Sequence, residues 1–129
     1  LFVLIYNRIM NGTIIFYNEY NEYPVIDFIE NLTSGEKAEI IRYFDLLEEY
    51  GIKLGCPYIQ KIGKKHNLWQ LKIPYGKKDL YFIFLNKKDK DFIFLHGFRN
   101  VRETNIKEEL EVALNRTLEY EQRKEDSLG

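Results

Sequence analysis

The side chains best suited to chemistry in this 129-residue chain are cations, and they crowd its middle. Residues 52–102 carry 12 Lys+Arg against 3 Asp+Glu, a net of +9, between flanks of −6 (residues 1–51, 3 against 9) and −4 (residues 103–129, 4 against 8). Within that block Lys61, Lys64, Lys65 and His66 share one polar stretch, Lys72 ends the run Leu68-Trp69-Gln70-Leu71, and Arg99 and Arg102 follow a second apolar run. Clustered cations of this kind bind polyanions. Lysines along a solvated sheet edge, where they block strand-to-strand aggregation, are the alternative. His66 and His96 supply the only imidazoles, which can move a proton near neutral pH.

Other chemistries find little support. A single cysteine, Cys56, excludes an intrachain disulfide. Two histidines and one cysteine without ligand spacing do not make a zinc site. The absence of a P-loop and of G-x-G-x-x-G argues against a nucleotide, and no cofactor is expected. No apolar run approaches the ~20 residues of a membrane helix. The opening Leu1 to Tyr6 lacks a basic leader and a small-residue cleavage site, so a cytoplasmic location without membrane contact is expected.

The elements that must position these residues can be read from periodicity and punctuation. The chain reads as one domain, 1–129, large enough for a proper core. Residues 1–9, ahead of the only methionine, Met10, read either as an upstream extension or as a first strand. Thr13 to Tyr17 is a strand candidate. Pro24 fits the first turn of a helix running to about Leu32. Thr33-Ser34-Gly35-Glu36 has the form of a capping box, opening a second helix to about Tyr50 with Ile40, Phe44 and Leu47 on one face and Gly51 as its stop. Strands follow at Tyr58 to Ile62, Leu68 to Tyr75, Asp79 to Leu85 and Asp91 to Phe98. The last two are near-continuous apolar runs, expected to pair antiparallel at the centre of the sheet. Asn105 to about Arg123 is a closing helix, and 124–129 a frayed tail. Helices segregated from an antiparallel run of strands give an α+β fold, expected as two layers.

Three pieces in this order resemble a known family. They are Leu68-Trp69-Gln70-Leu71-Lys72, then Phe92-Ile93-Phe94-Leu95-His96-Gly97-Phe98-Arg99, then a closing helix with Ala113, Arg116 and Tyr120. Over about residues 13–123 the chain resembles the phage-derived Gp49-like, HigB-type toxins of the RelE/ParE superfamily. The resemblance implies a curved antiparallel sheet with helices on one face. It also implies a ribosome-dependent endoribonuclease that cuts mRNA in the decoding site and is neutralised by a cognate antitoxin, often of helix-turn-helix type. Where the family has L-R, this chain has Leu71-Lys72; where it has Y-R, Leu80-Tyr81; its basic pair after H-G-F becomes Arg99-Asn100-Val101-Arg102. A non-catalytic relative on the same scaffold, or an inhibitor of a protein target such as gyrase, is the alternative.

Metal-free RNA cleavage needs a base near the ribose 2′-hydroxyl, an acid near the leaving 5′-oxygen, and cations around the phosphorane. Lys72, out of phase with Trp69 and Leu71, is expected to leave the core face and stabilise that charge; an exposed strand lysine is the alternative. Arg99 and Arg102 are candidate phosphate clamps, or solvated ends of a strand. His96, in phase with Phe94 and Phe98, is a candidate proton shuttle or a satisfied, partly buried histidine. Lys61, Lys64, Lys65 and His66 are candidates for RNA-backbone steering, and Tyr81 for base stacking or proton donation. The expectation joining these assignments is that the cations gather in one concave anion pocket.

Overall fold

The computed structural model describes residues 12–63, 65–87, 91–100 and 104–128. Along the chain run β1 (Thr13–Phe16), α1 (Pro24–Glu30), α2 (Ser34–Tyr50), a 3₁₀ turn (Gly51–Leu54), β2 (Ile59–Ile62), β3 (Leu68–Ile73), β4 (Asp79–Asn86), β5 (Asp91–Asn100) and α3 (Ile106–Leu128). Pro24 does open α1. At α2 the Thr33 hydroxyl accepts from the Glu36 amide and the Glu36 carboxylate accepts from the Thr33 amide, which completes the capping box. Gly51, at φ 62°, ends that helix in a backbone region that a side chain disfavours.

The strands form one five-stranded sheet in the order β1-β5-β4-β3-β2. Strands β2 to β5 pair antiparallel, and β1 joins the edge of β5 in parallel. The class is α+β as expected, with β4 and β5 inside the sheet. The buried amide of Ile14, on the outer edge of β1, donates to the buried carboxylate of Glu48 on α2 (3.0 Å). This satisfies a backbone donor that no neighbouring strand can reach.

The layering differs from the two-layer expectation. Val25 of α1 and Ile40, Phe44 and Leu47 of α2 pack with Leu71, Leu80, Phe82, Phe84, Phe92 and Phe94 on one face of the sheet. Ala113 and Leu110 of α3 pack with Leu68, Ile83, Leu85, Ile93 and Leu95 on the other. Near-continuous apolar strands allow this, because both faces of β4 and β5 have surface to bury. α3 also runs past Arg123 to Leu128, so residues 124–128 of the expected tail are helical. Contacts one turn apart, Arg123 with Glu119 and Gln122 with Asp126 (3.2 Å), support that last stretch.

A single irregularity sets which side chains meet which helices. Ile83 faces His96 across β4 and β5, whereas Phe84 faces Phe94, so Leu95 is an extra residue in a β-bulge. Beyond it the alternation of β5 is reversed. Gly97 and Arg99 turn to the α1/α2 face, and His96 and Phe98 to the α3 face. His96 therefore does not share a face with Phe94, as unbroken alternation predicts.

The same reversal explains the glycine of the H-G-F run. A Cβ on Gly97 would lie 2.7 Å from ring carbons of both Phe28 and Phe82. These rings themselves meet edge-on, with centroids 5.8 Å apart. Gly97→Ala is expected to destabilise the fold by roughly 1–2 kcal/mol through overpacking. Urea unfolding that gave a midpoint equal to that of the wild type would contradict this account.

Candidate functional site

The site is assembled where β3, β4 and β5 lie side by side on the α3 face. Leu68, Gln70 and Lys72 alternate with the core residues Trp69, Leu71 and Ile73, so Lys72 leaves the α1/α2 core. It stands directly across from Tyr81, which in turn stands across from Phe98. The Tyr81 and Phe98 rings stack (5.5 Å, 13° apart), and Phe98 stacks on His96 (5.5 Å, 23°). A row of aromatic rings thus leads from the Lys72 ammonium to the imidazole.

His96 is satisfied at both ring nitrogens. Arg116 of α3, which also donates to the Leu95 carbonyl (2.8 Å), points an N–H at Nδ1 (3.2 Å), so Nδ1 is the acceptor. Nε2 carries the proton and donates to the Glu109 carboxylate. Burial pulls the imidazole pKa below its usual value, Glu109 pushes back, and Arg116 adds to the lowering. The neutral ring therefore prevails at pH 7, yet neither nitrogen is open to a substrate proton. Its partly buried role comes from position between the sheet and α3.

The two candidate phosphate cations are held very differently. Lys72 makes one ion pair, to Asp79 at 3.6 Å, with both side chains about a third exposed (35% and 29%). Pairs of this kind are worth at most about 1 kcal/mol, so an arriving phosphate can displace the carboxylate. Arg99, turned to the opposite face by the bulge, donates through Nε and Nη2 to both oxygens of Glu36 (3.0 and 2.7 Å). The Glu36 carboxylate is buried (side chain 6% exposed), and the Arg99 hydrogen bonds foremost hold its pKa down at about 2. A planar fork bound to both oxygens of a buried acid is not readily given up to a ligand.

The expected single pocket is therefore not what forms. Lys72 and Arg99 share the β3–β4 turn end of the sheet but lie on opposite faces. Lys61, Lys65 and His66 lie at the other end, by the β2–β3 turn. Lys61 stands over the Trp69 ring (5.9 Å), and His66 Nδ1 lies 3.2 Å from Glu121 of α3. Tyr81 is beside Lys72, as a shared role requires. Lys64, Arg102 and the proposed extension 1–9 lie outside the described residues. Sequence reasoning missed Glu36, Asp79 and Glu109 as partners, since nothing local ties them to cations as far as 63 positions away. Arg116 had a signal, being the arginine of the closing-helix pattern.

Among the described residues, no three His, Cys, Asp or Glu side chains come together as a metal ion needs, and no helix is long and apolar enough to cross a membrane. The arrangement offers one displaceable cation beside a phenol-bearing ring, which suits a phosphodiester with a base at its side. Residues 27–117 match the family model described as phage-derived protein Gp49-like. No curated protein matches the chain.

Proposed function

Since the chain belongs to the phage-derived Gp49-like family, we propose that it is the toxin component of a toxin–antitoxin pair and that its target is mRNA on the ribosome. The observation that carries this reading is the placement of Lys72, loosely held and half-exposed, directly across from Tyr81 on an open stretch of sheet. In the chemistry it supports, the ribose 2′-hydroxyl attacks the adjacent phosphorus and the 5′-oxygen leaves, giving a 2′,3′-cyclic phosphate and a 5′-hydroxyl end. Lys72 meets the negative charge that grows on the phosphorane. Tyr81 stacks on a base and gives its phenolic proton to the leaving oxygen, and Asp79, freed from Lys72, accepts the 2′-hydroxyl proton. His96, with both nitrogens engaged, holds α3 and the aromatic row in place.

A second reading is favoured by a specific observation: Arg99 is tied to Glu36 on the far face, which leaves the phosphate a single cation among the described residues on its own side. Under it, the same surface binds its target without cutting. Expression of the chain with transcript mapping separates the two. Growth arrest with ribosome-dependent cleavage, reduced at least tenfold by Lys72→Ala and also by Tyr81→Phe, supports the nuclease. Arrest that survives Lys72→Ala with mRNA intact supports the binding protein and removes the nuclease.

A further inference from the structure

α3 carries more apolar surface than the sheet covers. Ala113 and Thr117 face the strands and are fully buried, while Ile106, Leu110, Leu114 and Leu118 recur every fourth residue along an adjacent stripe. Leu114 and Leu118 are 37% and 50% exposed. Across from them stand Ile62 and Leu68 at the β2–β3 turn, and between turn and helix lies a cavity of about 490 Å³. Scattered exposed leucines need no explanation, but a row lining one groove does.

The charges around the groove say what fits it. The only charged side chains lining it are Lys65 and His66. His66 is matched by Glu121, whereas Lys65 has no ion-pair partner among the described residues. On the α3 side, Glu111 and Glu125 flank the leucine stripe. We propose that the groove receives an amphipathic helix of a partner protein. The helix presents an apolar ridge, with carboxylates on the flank toward Lys65 and cations on the flank toward Glu111 and Glu125. A second copy of this chain is a poor match, because the neighbours of its own Leu114–Leu118 ridge are Glu111, Glu121 and Glu125, which would meet the like charges here.

The groove continues into the candidate site. Leu68, Gln70 and Lys72 lie on one face of β3, and the four residues from Leu68 to Lys72 span roughly 13 Å. A seated helix of about nine residues has that length. It therefore covers Lys72 and closes the RNA surface. This inference rests on the toxin reading for the partner's identity, the neutralising protein encoded beside the chain, but not for the groove.

The test is titration calorimetry of the wild-type chain with that neighbouring protein, together with hydrogen exchange of the complex. The expected result is protection of residues 62–68 and 106–118, and at least tenfold weaker binding by Leu118→Glu. Lys65→Glu should weaken binding several-fold. Circular dichroism checks that Leu118→Glu, at an exposed position, stays folded. Equal binding by wild type and Leu118→Glu, protection elsewhere, no binding by the wild type, or a wild-type homodimer that Leu118→Glu dissolves would each overturn the proposal. Growth arrest by the chain alone reports on the toxin reading separately. Arrest with no groove dependence removes the docking site only; groove-dependent binding without arrest removes the toxin reading only.

Discussion

Arg99→Ala is expected to lower folding stability by about 2–3 kcal/mol, whatever it does to activity. Removing one partner of a buried ion pair typically costs 3–5 kcal/mol, because the other charge is stranded; the partial exposure of Arg99 (38%) brings the figure down. The pH dependence gives a second check. The Glu36 carboxyl titrates at about 2 in the folded chain against 4.5 in the unfolded one. The stabilisation it contributes is therefore complete above pH 4.5 and is lost as pH falls through 2. Urea midpoints measured from pH 6 to pH 2 should fall through that window in the wild type. They should fall less in Arg99→Ala, and less again in Glu36→Gln/Arg99→Ala, where no buried charge remains. An Arg99→Ala protein as stable as the wild type at pH 7 would show that the pair contributes nothing, and would return Arg99 to the list of free cations. This matters for reading any activity assay. An arginine of the family-like H-G-F-R run that abolishes toxicity when removed is naturally taken for a phosphate clamp, and here that loss has a structural cause to be separated first.

Phe94→Ala should have the larger effect, about 4 kcal/mol. The Phe94 ring is fully buried and meets Phe44 edge-on (4.9 Å), stacks on Phe84 (5.1 Å), and touches Phe82 (5.8 Å) and Phe16 (6.3 Å). It thus ties β1, β4 and α2 to β5 at one point. Rigid rings around the void collapse poorly, so most of the cavity should remain and be felt. Thermal unfolding checks the magnitude. A loss below about 1 kcal/mol would mean that the neighbouring rings repack, and that the aromatic cluster is looser than its geometry implies.

Much of the architecture was legible because its causes are local. Pro24, the reciprocal bonds of Thr33 and Glu36, and Gly51 announce helix ends within a few residues. Near-continuous apolar runs announce β4 and β5 as inner strands. The pattern at Leu71 and Lys72 correctly sends the lysine away from the α1/α2 core, since β3 keeps its alternation throughout. Of the candidate site, the sequence supplied Lys72 and Tyr81 as neighbours in role, with the resemblance to the family guiding the choice.

What only the tertiary structure decided follows from one residue and from distance. Alternation assigns a face relative to an unbroken register, and the bulge at Leu95 breaks that register inside a run where every side chain is apolar, so nothing in the letters marks it. That one inserted residue sends Arg99 to Glu36 and His96 to Glu109, and so separates cations expected to converge. The second cause is that these carboxylate partners lie 63 and 13 positions away along the chain. Charge pairs at such separations are chosen by how the layers pack, including on which face α3 settles when both have apolar surface to bury.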